Sequence, residues 1–178
     1  ERLAAALQDL ELDCEVYHAG RDKEALARTQ GNWREGDLHC VVATVAFGMG
    51  VDRSDVGLVL HLDLPATPEG YLQESGRAGR DGRPAHCLVL FSPGDRTSLG
   101  WAMQATLRRA AESKASEDDV WRAEFSQQQL RRMEAVAEGE LCREQALLLS
   151  VGELTSPCGR CDRCLADLRA KDWSDRAQ

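Results

Sequence analysis

Residues 73–82, QESGRAGRDG, place Arg77 and Arg80 three positions apart among small residues. On a helix that spacing sets both guanidinium groups on one face, roughly 5–6 Å apart and able to converge on one anion. Ser75, Gly76, Ala78 and Gly79 keep the surrounding surface low, so a bulky polyphosphate can approach. A lone RxxR is more often a solvated turn with an ion pair, here Glu74 to Arg77, and its surroundings must decide. The second reactive group is PCGRCDRC, with Cys158, Cys161 and Cys164 at C-x2-C-x2-C and Cys142 sixteen residues before the first. A C-x2-C turn lets two sulfurs face one ion, and tetrahedral Zn2+ takes four such ligands at about 2.3 Å. Spacing alone leaves an iron–sulfur cluster and a redox dithiol as alternatives. Arg143, Arg160 and Arg163 adjoin the cysteines in sequence, where they can offset thiolate charge.

Upstream of the arginines lies VVATVAFGMGVD, from Val41 to Asp52. A short apolar run breaks there into a glycine-spaced loop that ends on a carboxylate. In an open parallel α/β sheet, backbone that contacts a ligand sits at the carboxyl ends of strands. Gly48 and Gly50 permit close approach or positive φ. Taken alone, these glycines fit a plain strand-to-helix turn equally well.

Together, ATVAFGMGVD (43–52) and YLQESGRAGRDG (71–82) resemble the fifth and sixth conserved motifs of superfamily 2 helicases, specifically of the RecQ family. YHAG at 17–20 resembles a further RecQ segment, and the likeness runs from Glu1 to about Leu165. The resemblance implies two RecA-like domains that clamp ATP with Mg2+, of which this chain carries the second. Arg80 is then the arginine finger, Arg77 its partner at the γ-phosphate, and Gln73 and Gly76 shape the contact surface. Gly50 and Asp52 face the nucleotide or orient an arginine. His18, Gly20 and Thr44 are implied to meet DNA phosphates, giving salt-sensitive and largely sequence-independent binding to single strands and duplex junctions. For His18, capping a strand end is the competing role. The family's four-cysteine site makes Cys142, Cys158, Cys161 and Cys164 ligands of a structural Zn2+. The implied activity is ATP-dependent 3′ to 5′ DNA unwinding in repair and recombination.

Some positions depart from the pattern. Ser54 and Gly57 stand where many relatives have proline and a basic residue, Leu72 replaces an aromatic, and Ser150-Val151 replaces an aromatic pair. These changes put local packing and a DNA contact at Gly57 in question. The chain contains no G-x-x-x-x-G-K-[ST] phosphate loop and no acidic box, both of which the family carries in its first motor domain. On its own it is therefore expected not to hydrolyse ATP, and the missing first motor domain is its expected partner in cis. A non-catalytic zinc-containing nucleic-acid-binding protein with a degenerate motor domain is the alternative. An RNA-directed superfamily 2 relative is disfavoured by GMGVD and QESGRAGRDG followed by four cysteines.

The elements needed to position these groups follow from pattern. Of 178 residues, 30 are acidic and 22 basic, a net charge of −8 that disfavours a strong global attraction to nucleic acid, so the placement of arginines matters more than their sum. Seven cysteines without a secretory signal argue for metal or core use in a soluble, reducing, intracellular setting, cytoplasmic and nucleoid-associated if bacterial. The start on Glu1 within a helical pattern suggests a truncated N-terminus. Helices at 1–11, 22–34 and 67–80 alternate with strands at 15–18, 38–43, 58–62 and 87–91, predicting a RecA-like parallel α/β sheet flanked by helices. Thr67 is the expected N-cap of the motif helix. After Pro93, helices at 95–109 and 116–138 predict a small helical zinc-binding domain, the second helix with Val120, Phe125, Leu130, Met133 and Val136 available for packing. The expected division is 1–98 motor lobe, 99–168 zinc domain and 169–178 polar tail. Cys14, Cys40 and Cys87 are expected to be small buried hydrophobes.

Overall fold

The computed structural model describes residues 1–44, 47, 53–92 and 116–165. Gly48, Gly50 and Asp52, the expected helix 95–109 with Arg108-Arg109, the expected boundary at 98/99 and the tail from 166 lie outside the described residues. The chain forms two compact units, Glu1–Val59 with Glu74–Cys87, and Leu60–Gln73 with Leu88–Gln178. Among the described residues no helix is long and apolar enough to cross a membrane.

The first unit opens with α1 (Arg2–Asp9), β1 (Cys14–Tyr17), α2 (Lys23–Glu35) and β2 (Cys40–Ala43). β1 and β2 pair in parallel, with Cys14 opposite Cys40 and Tyr17 opposite Ala43. Parallel neighbours need a crossover, which α2 supplies. Asp22 starts that helix by accepting the Ala25 N–H at 2.7 Å, and the bond holds its carboxyl below the usual range. Thr29, fully buried on α2, donates to Oε2 of Glu15 on β1, while Asn32 Nδ2 donates to Oε1 at 3.4 Å. On α1 the buried residue is Ala4; Ala6 and Leu10 are exposed, Leu10 because the helix has ended at Asp9, short of the expected 11.

A second two-stranded sheet joins β3 (Leu58–His61) and β4 (His86–Val89). His86 N–H donates to Gly57 O and Leu90 N–H to His61 O, the same offset at both ends, so these strands also run in one direction. Leu58, Leu60, Leu88 and Leu90 face outward, while Val59, His61 and Val89 are half-buried, because a two-stranded ribbon turns only one face to a core. Cys87 lies on this ribbon and is exposed, Cys40 is half-buried, and of the three lone cysteines only Cys14 is fully buried. The four expected strands are thus present, paired two by two.

Helix α3 (Pro68–Ser75) begins in the second unit, and α4 (Glu117–Glu138), α5 (Arg143–Ser150) and α6 (Asp162–Leu165) lie within it. Ser116 caps α4 with a reciprocal capping box: its hydroxyl accepts the Asp119 N–H and the Asp119 carboxylate accepts the Ser116 N–H. Leu64, Leu130, Met133, Val136 and Leu147 form the buried core, with Tyr71, Leu72, Val89 and Phe91 packed against it. Buried Gln129 donates to Glu69 at 3.2 Å. Of the expected face of α4, Val120 and Phe125 are exposed, and the Phe125 ring stacks on Trp121 at 5.3 Å. Helix α4 has 22 residues and its packing partner α5 has eight, so α5 covers only the carboxyl-terminal half.

Candidate functional site

Thr67 caps α3 as expected, its hydroxyl accepting the Gly70 N–H at 2.9 Å. The helix then stops at Ser75 rather than continuing to Arg80, so Arg77 and Arg80 do not share a helix face. Arg77 and Ala78 N–H groups turn back to the carbonyls three residues earlier. Gly79 takes a left-handed φ of 67°, where a Cβ would lie 3.1 Å from Arg83 O. The N–H groups of Gly79 and Asp81 leave the local ladder altogether and donate to Val56 O and Ser54 O, each at 3.0 Å. Those long-range bonds end the helix and fix the turn. Within it Arg80 is exposed, its Nε donating to Gly76 O at 3.1 Å, and Arg77 is half-buried. Gln73 is exposed on the last turn of α3, and Gly76 is exposed just beyond it.

The segment that receives these bonds begins at Arg53, which sequence reading passed over. Its Nε and Nη2 grip the two oxygens of Asp55 at 2.6 and 3.1 Å, and its Nη1 donates to Trp33 O and Leu38 O at 3.2 and 2.8 Å. The guanidinium lies 4.6 Å above the Trp33 ring, a favourable cation–π position. Trp33 in turn meets Phe47 edge-on, and Phe47 meets Tyr17. The hydrogen bond from Arg53 holds the Asp55 carboxyl below its ordinary range. Nothing in DRSD flags the whole arrangement, since half of its bonds go to backbone carbonyls fifteen and twenty residues away.

His18, Gly20 and Thr44 gather at the carboxyl ends of β1 and β2. Thr44 N–H donates to Tyr17 O at 3.1 Å, and Gly20 N–H donates to His18 Nδ1 at 3.1 Å. His18 Nε2 meets Glu1 at 3.1 Å. The histidine thus orders its own loop, while Gly20 and Thr44 are exposed.

The four clustered cysteines converge. Their sulfurs all lie within 4.8 Å of one another, with Cys158–Cys164 at 4.0 Å and Cys142–Cys161 at 3.8 Å. A tetrahedron of bonds about 2.3 Å long has edges of about 3.8 Å, so the donor set fits zinc. Cys142 stands at the N-terminus of α5, and Gly159 takes a left-handed φ of 70° to turn the chain between Cys158 and Cys161. Backbone N–H groups of Cys158, Arg143 and Arg160 donate to the sulfurs of Cys142, Cys161 and Cys158. Burial pushes the Cys142 thiol up, but the Cys158 and Gln145 backbone bonds and the neighbouring thiols outweigh it and hold it at about 6. At Cys164 a backbone bond from Gly159 lowers the pKa, while burial and the three other thiols prevail and raise it to about 12. Four crowded sulfurs do not all ionise without a cation among them.

Arg143 ties this knuckle to α4. It donates to Val136 O, to Ala137 O at 2.9 Å and to Gly139 O at 3.4 Å, and grips Asp162 through Nε and Nη2, the latter at 2.7 Å. Arg160 pairs with Glu144 at 2.8 Å and also feels the Cys158 sulfur. Arg163 donates to Glu138 O at 3.2 Å. The expected charge offset is therefore shared with carboxylates and carbonyls.

Two families match in succession: residues 1–82 match the helicase conserved C-terminal domain, and residues 103–165, which include all four ligands, match the RecQ zinc-binding domain. A RecA-like helicase lobe followed in the same chain by a cysteine-ligated zinc domain is the class that fold and site define. The chain belongs to the RecQ family, and its four-cysteine cluster is a structural zinc site. It is 35% identical over 166 residues to the ATP-dependent DNA helicase RecQ of Haemophilus influenzae, covering 93% of this chain and 25% of that protein. Identity is 39% over 155 residues with the ATP-dependent DNA helicase hus2/rqh1 of Schizosaccharomyces pombe, covering 86% and 11%. With RecQ of Pasteurella multocida it is 34% over 166 residues, covering 93% and 24%. The chain thus spans a quarter or less of the length of these curated relatives. When bound, zinc cross-links the 142–164 segment and leaves no ligand position open for a substrate.

Proposed function

We propose that this chain is the C-terminal motor lobe and zinc domain of an ATP-dependent DNA helicase that moves 3′ to 5′ in DNA repair and recombination. Arg80 and Arg77 act on the transferred phosphoryl group. The observation that carries this reading is the pair of backbone bonds joining the turn 76–82 to residues 54 and 56, directly after the glycine loop segment. The second motif-like stretch is thereby bonded to the chain that directly follows the first. Phosphoryl transfer spreads negative charge over equatorial oxygens, and a positioned guanidinium stabilises it, by a factor of about 10³–10⁵ for arginine fingers generally. Arg80 is exposed in the turn, as a group acting on another domain's nucleotide must be. Gln73, Gly76, Gly50 and Asp52 line the same nucleotide contact. ATP with Mg2+ is held mainly by a first motor domain in cis.

His18, Gly20 and Thr44 face DNA phosphates from the carboxyl edge of β1 and β2, where exposed backbone and hydroxyl groups fix position without reading sequence. In this assignment residues 1–98 are the motor lobe and 99–168 the zinc domain. The decisive experiment is Arg80→Ala in the full-length protein. DNA-stimulated ATP hydrolysis falls by about 10³ or more while nucleotide binding persists. Lost binding with unchanged turnover contradicts a transition-state role.

A further inference from the structure

We infer that Arg53 is a positioning residue, the pin through which α2 sets the backbone of the turn that carries Arg77 and Arg80. This rests on the reading of Arg80 as the phosphoryl-facing group.

Arg53 itself is committed elsewhere. Its side chain is 15% exposed, its Nε and Nη2 are occupied by Asp55, and its Nη1 is shared between Trp33 O and Leu38 O. The planar fork reaches three partners at once while its face rests on the Trp33 ring. Trp33 lies on the last turns of α2, so the guanidinium fastens residues 53–55 to the end of that helix and to the entry of β2. From the fastened segment the carbonyls of Ser54, Val56 and Gly57 point away and accept the N–H groups of Asp81, Gly79 and His86. These three bonds bracket the turn on its carboxyl side. Gly79 holds its left-handed conformation against Val56, and Arg80 stands between the Gly79 and Asp81 anchor points. A shift of residues 53–57 therefore carries Arg80 with it. Misplacing a catalytic group by about 1 Å costs on the order of 10²-fold in rate. The effect of losing Arg53 falls on the chemical step, because residues that bind nucleotide in the other motor domain are untouched.

The test compares variants of the full-length protein in steady-state ATP hydrolysis with single-stranded DNA, with thermal melting of each recorded alongside. Arg53→Ala lowers kcat by about tenfold or more and leaves KM for ATP within about twofold. Arg53→Lys recovers less than about half of the loss, since an ammonium cannot reproduce the two-pronged bond to Asp55. Asp55→Asn removes the charge and one prong of that grip and leaves the carbonyl contacts of Arg53 available; it lowers kcat by about threefold or more, again without a change in KM. It also decides the matter if Arg53→Ala fails to fold. Arg80→Ala separates the two ideas. If it abolishes turnover while Arg53→Ala and Asp55→Asn stay within about twofold of wild type, the pin is refuted and the phosphoryl reading stands. If Arg80→Ala leaves turnover intact, that reading fails and the pin loses its purpose. A KM that rises as kcat falls, in step with the melting temperature, marks general loosening and also refutes it.

Discussion

Arg53 and Arg143 are the same device built twice. Each grips an aspartate through Nε and Nη2, Asp55 in one region and Asp162 in the other, and each spends Nη1 on backbone carbonyls of a preceding helix or loop. What they hold differs. Behind Arg143 four sulfurs converge within 4.8 Å of one another, with Cys142 buried and the others half-buried. Behind Arg53 a turn presents Arg80 outward, exposed to solvent. A site that stabilises its own chain can be completed within that chain. A site that acts on a molecule held elsewhere must remain open, and its own segment has to be braced from behind.

The largest expected effect tests the closed region. Stripping zinc with a strong chelator, or Cys142→Ala, removes a bond set whose apparent worth in small zinc domains is about 10–16 kcal/mol. Hydrogen exchange should then lose protection across α4 to α6 and keep it in β1, α2 and β2. Cys14→Ala, at an isolated buried thiol, should cost only about 1 kcal/mol and leave that map unchanged. Equal damage from both would break the contrast. Elemental analysis of freshly purified, reduced protein should give one zinc per chain, and iron in its place would overturn the assignment.

A middle-sized effect comes from Arg143→Ala. Removing a partly buried guanidinium that satisfies three carbonyls and a carboxylate should lower stability by about 2 kcal/mol in urea melts, with zinc still bound. No measurable loss would mean that the metal alone holds the knuckle to α4.

The smallest effect is in pH. The Arg53 bond depresses the folded pKa of Asp55 below that of an unperturbed aspartate. The pair therefore contributes above the unperturbed value, and its contribution is lost as pH falls through the lower, folded value. NMR titration should find Asp55 below the ordinary aspartate range and should return it to that range in Arg53→Ala. An unshifted Asp55 would remove the parallel with Arg143.

Much of this was legible in the residues. Apolar runs and turn residues located all four strands to within two residues at either end, because short connections and buried side chains leave few alternatives. Thr67 announced a helix start through side-chain chemistry that acts within three residues. C-x2-C spacing placed the sulfurs of Cys158, Cys161 and Cys164 by local geometry, while Cys142, sixteen residues upstream, entered through the family resemblance; the structure gathers all four. Helix α3 was extended too far, through Arg80, because its end depends on Val56 and Ser54 carbonyls about twenty-five residues away. The reach of Arg53 to α2 and the loop after it was invisible for the same reason: its Nη1 partners there are carbonyls, which every residue carries. Exposure of Val120 and Phe125 was missed because periodicity shows which face is apolar, not how far along the helix a partner reaches.

The first unit is built from two separated stretches, 1–59 and 74–87. A ribosome delivers the helices, β1, β2 and the Arg53 latch first, and Ser54, Val56 and Gly57 then wait for chain that has yet to emerge. Closing them requires the 60–73 excursion to be made and the chain to return, a long-range event that contact order makes slow. The arginine turn should therefore be among the last parts of its unit to lock, and a chain stopped at residue 73 would display three carbonyls with their partners still unmade.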